Sequence, residues 1–98
     1  MPYTPAELAD RAEIQDLIHR YAWAIDSRDW ALLDTCFTDD AHVDYSSNPG
    51  GVAGPYREVR PWLEQNLAAF AVMQHLMANV DVHLDGDRAT ARTMMVNP

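Results

Sequence analysis

Apolar residues recur at three- and four-residue spacing through the first quarter of the chain. Ile14, Leu17, Ile18, Tyr21, Ala22 and Ile25 fall on one helical face, while Glu13, Asp16 and Arg20 fall elsewhere, as on a solvated face. Trp23 sits opposite the stripe, where it either covers a loop or touches another subunit. The helix has a clear start: Thr4 caps, Pro5 takes the first helical position and Glu7 completes a capping box. It is expected to run to about Asp26. Ser27-Arg28 breaks it, and Asp29 then caps a short helix from Trp30 to about Phe37, whose Trp30, Leu33 and Phe37 share a face.

The period then changes from 3.6 to 2. After a turn at Thr38-Asp39-Asp40, residues 41–46 alternate, with Ala41, Val43 and Tyr45 on one side and His42, Asp44 and Ser46 on the other. Residues 47–54 hold three glycines and a proline and read as loop. A third helix begins near Arg57-Glu58, with Pro61 tolerable only in its first turn and Trp62, Leu63, Leu67 and Phe70 on its apolar face. Residues 74–84 alternate again. Leu76, Ala78, Val80, Val82 and Leu84 form one face, and His75, Met77, Asn79, Asp81 and His83 the other. Asp85-Gly86 signals a hairpin, returning as a strand over about residues 88–96. The order helix, helix, strand, helix, strand, strand predicts an α+β domain with helices laid on an antiparallel sheet.

Composition narrows the function. The chain has 98 residues, enough for one domain over residues 1–98 and too few for a second core. Its net charge is −8 and its seven basic side chains are scattered, which argues against nucleic acid. Cys36 is the only cysteine, so no intrachain disulfide forms and a reducing cytoplasm suits the chain. The first residues have neither a basic stretch nor an apolar run, and nothing approaches a membrane span.

The polar groups able to converge are Asp26 at the end of the first helix, Tyr21 on its stripe, Tyr45 on the first strand, and His75, Met77 and Asn79 on the later one. A carboxylate beside an imidazole fixes its tautomer. Such a histidine can remove a proton next to a carbonyl and return it to a departing hydroxyl. A tyrosine hydroxyl can donate to the enolate oxygen. Taken singly, each residue has a plainer role: Asp26 as a helix-end turn, the tyrosines as amphipathic core, His75 as a hydrogen-bonded scaffold. His19, His42 and His83 read as surface, Met73, Met77, Met94 and Met95 as adaptable core or pocket lining, and no histidine pair has metal-ligand spacing on a common face.

The segments Tyr21-x-Trp-Ala-x-Asp26-Ser-Arg-Asp-Trp30, Val43-Asp44-Tyr45 and Gln74-His75-Leu-Met-x-Asn79 resemble the SnoaL-like branch of the nuclear transport factor 2-like superfamily. They are most similar to the scytalone dehydratase and bile-acid 7α-dehydratase branch, over about Ala9 to Val96. The resemblance implies a cone, a strongly curved antiparallel or mixed sheet wrapped on long helices, here expected to lack its last strands. It implies that Asp26 and His75 are a catalytic dyad, with Tyr21 assisting and Tyr45 facing substrate. It also implies a trimer or dimer and no cofactor. Scytalone dehydratase carries a second pocket histidine where this chain reads Thr93-Met94-Met95, so scytalone is not the expected substrate. The expected function is a cofactor-free lyase or isomerase acting on a small hydrophobic hydroxy-carbonyl ring compound, such as a steroid or polyketide. The alternatives are a non-catalytic ligand-binding or assembly module of the same fold, like a dioxygenase small subunit, and an inactive truncated remnant.

Overall fold

The computed structural model describes residues 2–70 and 73–96. Helix α1, Pro5–Ser27, starts as its sequence dictates: the Thr4 hydroxyl accepts from the Glu7 N–H and the Glu7 carboxylate accepts from the Thr4 N–H. It ends at Arg28, the one non-glycine residue with positive φ (55°) among the described residues. A left-handed cap is unfavourable for a side chain with a Cβ. It is offset here because the Arg28 guanidinium donates to the carbonyls of Leu67 (3.1 Å) and Phe70, where the third helix runs out. The Asp29 carboxylate accepts from the Leu32 N–H at 3.0 Å and so starts α2, Trp30–Asp34. That helix is a few residues shorter than expected, because the chain passes into turns before Phe37.

Strand β1, His42–Asp44, pairs antiparallel with β2, Ala53–Pro55. Its partner lies in the stretch read as loop. The glycines there make a tight connection rather than a slack one: a Cβ on Gly51 would lie 1.7 Å from the Tyr45 carbonyl oxygen. Helix α3, Tyr56–Leu67, starts at the end of β2, so Pro61 falls beyond the first turn. The carbonyl it cannot serve belongs to the exposed Arg57, where water can take the place of the missing N–H. Phe70 lies past the helix and is exposed.

Strands β3, Leu76–Asp85, and β4, Arg88–Val96, form a second antiparallel pair. Gly86 takes φ 61° at the first position of their two-residue turn, a conformation glycine adopts without strain. The expected alternation along β3 breaks once. The register shifts between Met77 and Val80, so Met77, Val80, Val82 and Leu84 turn inward while Leu76, Ala78 and Asn79 face water. One inserted residue reverses every face before it.

Among the described residues the two strand pairs remain separate sheets, and no closed cone-shaped sheet is present. A three-residue β1 whose hydrogen bonds go to its local partner β2 has no continuation into the β3–β4 hairpin. The core forms instead between the helices and Met73: Ala24, Ile25, Leu33, Tyr56, Leu63 and Met73 pack together. Tyr56 joins α2 to α3 by stacking on Phe37 (4.2 Å between centroids) and donating to the Asp34 carboxylate at 2.8 Å. Arg11 pins α1 to β3 through the Val82 carbonyl at 3.0 Å.

Leu33 is fully buried at the centre of this core. Leu33→Ala is expected to cost about 2–5 kcal/mol in a urea titration, whereas Leu8→Ala, on the exposed side of α1, should stay within about 0.5 kcal/mol of the parent. Equal losses at both positions would place the core elsewhere.

Candidate functional site

Asp26 lies in the last turn of α1 and His75 immediately before β3. One carboxylate holds the histidine twice: Oδ2 accepts from the His75 backbone N–H at 2.7 Å, and Oδ1 meets Nδ1 of the ring. The side chains are mostly buried, at 10 % exposure for His75 and 19 % for Asp26. A carboxylate can only accept, so Nδ1 carries a proton, and the neutral form of the ring is the tautomer with its lone pair on Nε2. Among the described residues no hydrogen-bond partner meets Nε2.

The pair lies in the wall of a groove of about 530 Å³, a volume typical of small-molecule sites. His19, Ala22, Trp23 and Ser27 of α1 form one side, and Met73, Gln74, Leu76 and Met77 the other. The sequence pattern assigns His19 to the surface and Trp23 to a loop or subunit contact. Both are solvent-exposed, and both line the groove of the dyad. Their four-residue spacing on α1, with Asp26 three residues further on, was the available signal.

Tyr21 and Tyr45 are also together, but in a different place. Their hydroxyls hydrogen-bond at 2.5 Å. Tyr21 faces a second, mainly apolar cavity of about 400 Å³ with Leu17, Ile18, Cys36, Phe37, Met77, Thr93 and Met95. Met77 lines both cavities and divides them. Asn79 is exposed at the β3 bulge and lines neither. Burial pushes both phenols up from their ordinary value, and for Tyr21 the neighbouring Tyr45 adds to the effect. His42 and His83 are exposed, and Asp44 is spent on the Ser46 N–H at 2.8 Å. No group of three or more histidine, cysteine or acidic side chains suited to a metal ion occurs among the described residues. No helix among them is long and apolar enough to cross a membrane.

The sequence profile of the SnoaL-like domain matches residues 6–98. The chain belongs to the SnoaL-like family. Its α+β arrangement, with helices and small antiparallel sheets, fits that family, and the Asp26–His75 pair is consistent with enzymes of the SnoaL-like type. Similar proteins include an uncharacterised protein of Mycobacterium tuberculosis, found in two strains, and one of Mycobacterium bovis. Each is 44 % identical over 93 residues, covering 95 % of this chain and 63 % of the relative. The chain thus spans somewhat less than two thirds of the length of these SnoaL-like relatives. No solved structure matches it.

The raised phenols set an alkaline limit on the fold. Unfolded tyrosines ionise near pH 10, and the folded values of Tyr21 and Tyr45 lie above that. Their contribution to stability is therefore complete below about pH 10 and lost as pH rises through the folded values. Tyr21 and Tyr45 phenolate absorbance should emerge together with loss of helical circular dichroism. Ionisation of both near pH 10 in a chain that stays folded would contradict their burial.

Proposed function

We propose that this SnoaL-like chain is the core of a cofactor-free lyase or isomerase of the dehydratase type, with His75 as acid–base and Asp26 as its positioning residue. The observation that carries the reading is the double hold of the Asp26 carboxylate on His75, with Nε2 unpartnered among the described residues at a groove of small-molecule size. The fixed tautomer is the one a general base needs.

The chemistry balances without a further reactant. His75 Nε2 takes the proton from the carbon next to a substrate carbonyl. The electron pair moves to form the carbon–carbon double bond as the β-hydroxyl departs, and Nε2–H gives that hydroxyl the same proton. Water leaves and the imidazole returns to its neutral form. One nitrogen serves both steps, so proton and hydroxyl leave from the same face of the ring. Asp26 stabilises the imidazolium formed between the steps, as the carboxylate of a catalytic triad does. If the substrate lacks a leaving hydroxyl, the same nitrogen returns the proton to another carbon and the reaction is an isomerisation.

The substrate class is a small, uncharged, hydrophobic hydroxy-carbonyl ring compound. Tyr21 would meet such a substrate only from the second cavity, past Met77, and there its hydroxyl, hydrogen-bonded to that of Tyr45, would bind the carbonyl. The scytalone and bile-acid dehydratase branch is the part of the family whose dyad this arrangement resembles, and by that resemblance the protein would act as a trimer or dimer. Residues 1–98 are then one SnoaL-like domain.

Cyclic β-hydroxy ketones provide the test, because dehydration creates a conjugated enone that absorbs in the ultraviolet. His75→Ala is expected to lower kcat by about 100- to 10,000-fold with the circular dichroism unchanged. Asp26→Asn can offer Nδ1 a donor in place of an acceptor, which reverses the tautomer, so kcat should fall far more than KM rises. Full turnover in His75→Ala would refute the mechanism. Ligand held by the parent protein without turnover would assign the groove to a binding module instead.

A further inference from the structure

Arg28 stands where a glycine is the easier choice. The Asp29 N–H reaches back to the Ala24 carbonyl at 2.9 Å and the Arg28 N–H to that of Ile25 at 3.1 Å, so α1 ends in two hydrogen bonds that close around a left-handed residue. Glycine fills that position without strain, because the Cβ is what makes it unfavourable. The chain carries a long, half-buried side chain there instead. A strained residue persists when its surroundings over-determine it, and that points to a use for the side chain. The guanidinium Nη2 donates to the Leu67 carbonyl at 3.1 Å and to that of Phe70. Leu67 is the last residue of α3, a helix with no basic residue in its own last turn. Two residues before Arg28, Asp26 holds the far end of the same connection through the backbone N–H and the ring of His75. A cation thus takes carbonyls where α3 ends, and an anion takes donors where β3 begins.

We propose that Arg28 is a positioning residue for the dyad: by holding the last carbonyls of α3 it sets where the chain leaves that helix, and so how His75 meets Asp26. The proposal rests on His75 as the acid–base group for its effect on turnover, whereas its effect on the imidazole ring is independent of that reading. Five residues of extended chain reach up to about 17 Å, so the position of Phe70 alone does not place His75, and a tether at His75 alone does not place what precedes it. The two tethers together do. Both issue from the last turn of α1 and its cap, two residues apart, so the two ends of the connection are set against one rigid reference. Among the described residues Arg28 makes no ion pair with Asp26. Its guanidinium is spent on carbonyls, and it acts on the dyad through the backbone. Without that tether the Asp26 carboxylate faces a His75 whose position is less well defined. A displacement of about 1 Å at a reacting group can cost roughly 100-fold in rate.

Arg28→Gly separates the side chain from the cap, since glycine keeps the left-handed turn and removes only the guanidinium. The first readout is nitrogen NMR of the His75 ring without substrate. In the parent, Nδ1 carries a proton that the carboxylate shields from exchange with water. In Arg28→Gly that proton should exchange about tenfold faster, the scale of one lost hydrogen bond, and the two neutral tautomers should mix. The second readout is turnover of a cyclic β-hydroxy ketone: kcat should fall about 10- to 100-fold with little change in KM. Arg28→Lys, which keeps a donor for the carbonyls, should recover much of both effects. In an Asp26→Ala background Arg28→Gly should add nothing to either, because the two act on one contact. A His75 ring in Arg28→Gly with the parent's tautomer and exchange rate would overturn the proposal. So would loss of helical circular dichroism in that variant, since the guanidinium would then hold the fold rather than the ring. The ring is read without turnover, so full turnover in His75→Ala would remove the mechanism and leave the positioning of the ring standing, whereas an unchanged ring in Arg28→Gly removes the positioning role alone.

Discussion

The contact on which the arrangement depends is the one between the Asp26 carboxylate and both the backbone and the ring of His75. It spans 49 residues of sequence and joins the end of the longest helix to the entrance of the β3–β4 hairpin. Neither partner is in deep interior, yet both are mostly covered. A covered carboxylate is costly unless its lone pairs are used. Here one histidine uses a lone pair on each oxygen, so the position of the backbone before β3 and the orientation of the imidazole are set by one group. A hydrogen bond to the ring alone would leave the backbone free to slide, and one to the backbone alone would leave the tautomer undefined.

The same carboxylate stands where local rules disfavour it. Asp26 is in the final turn of a 23-residue helix that carries no basic residue in that turn. The carbonyl end of a helix repels negative charge. The conflict is met from outside the helix by the donors of His75. Arg28 closes α1 in a left-handed cap while its guanidinium reaches the carbonyls of Leu67 and Phe70. Arg28 thus fastens the end of α3 beside the end of α1 and brings a positive charge near both. A residue in violation of helix electrostatics, supported by two donors of a histidine from a distant segment, is the pattern expected of a functional site.

Sequence reasoning succeeded where the determinant is local. The capping box of Thr4 and Glu7, the Asp29 cap and the Gly86 turn each depend on residues a few positions apart, and each forms as the sequence pattern indicates. It failed where the determinant is a partner far away or a single extra residue. Strand β2 consists of Ala53, Gly54 and Pro55, which have almost no intrinsic strand tendency, and only β1 makes it a strand. The bulge between Met77 and Val80 leaves no mark on hydrophobic alternation, because alternation assumes the period it is used to detect. The pairing of Asp26 with His75 was legible from residue types and resemblance. The side of α1 on which its groove opens was not. Periodicity finds the face that packs, and His19 and Trp23 lie on the face that does not.

That bulge also decides how the polar groups are divided. It turns Met77 inward beside Val80, and Met77 then stands between the groove of Asp26 and His75 and the cavity of Tyr21. One phenol donates to the other at 2.5 Å and burial holds both neutral, so only the accepting hydroxyl keeps its own O–H for a substrate. The Nε2 lone pair of His75 has no such partner among the described residues. The imidazole and the phenol pair are unequal participants for reasons of access: the imidazole can act on any ligand that enters its groove. The tyrosines can contribute only to a ligand large enough to displace Met77 and span both cavities. The reaction this geometry supports best is therefore one that a single nitrogen can complete.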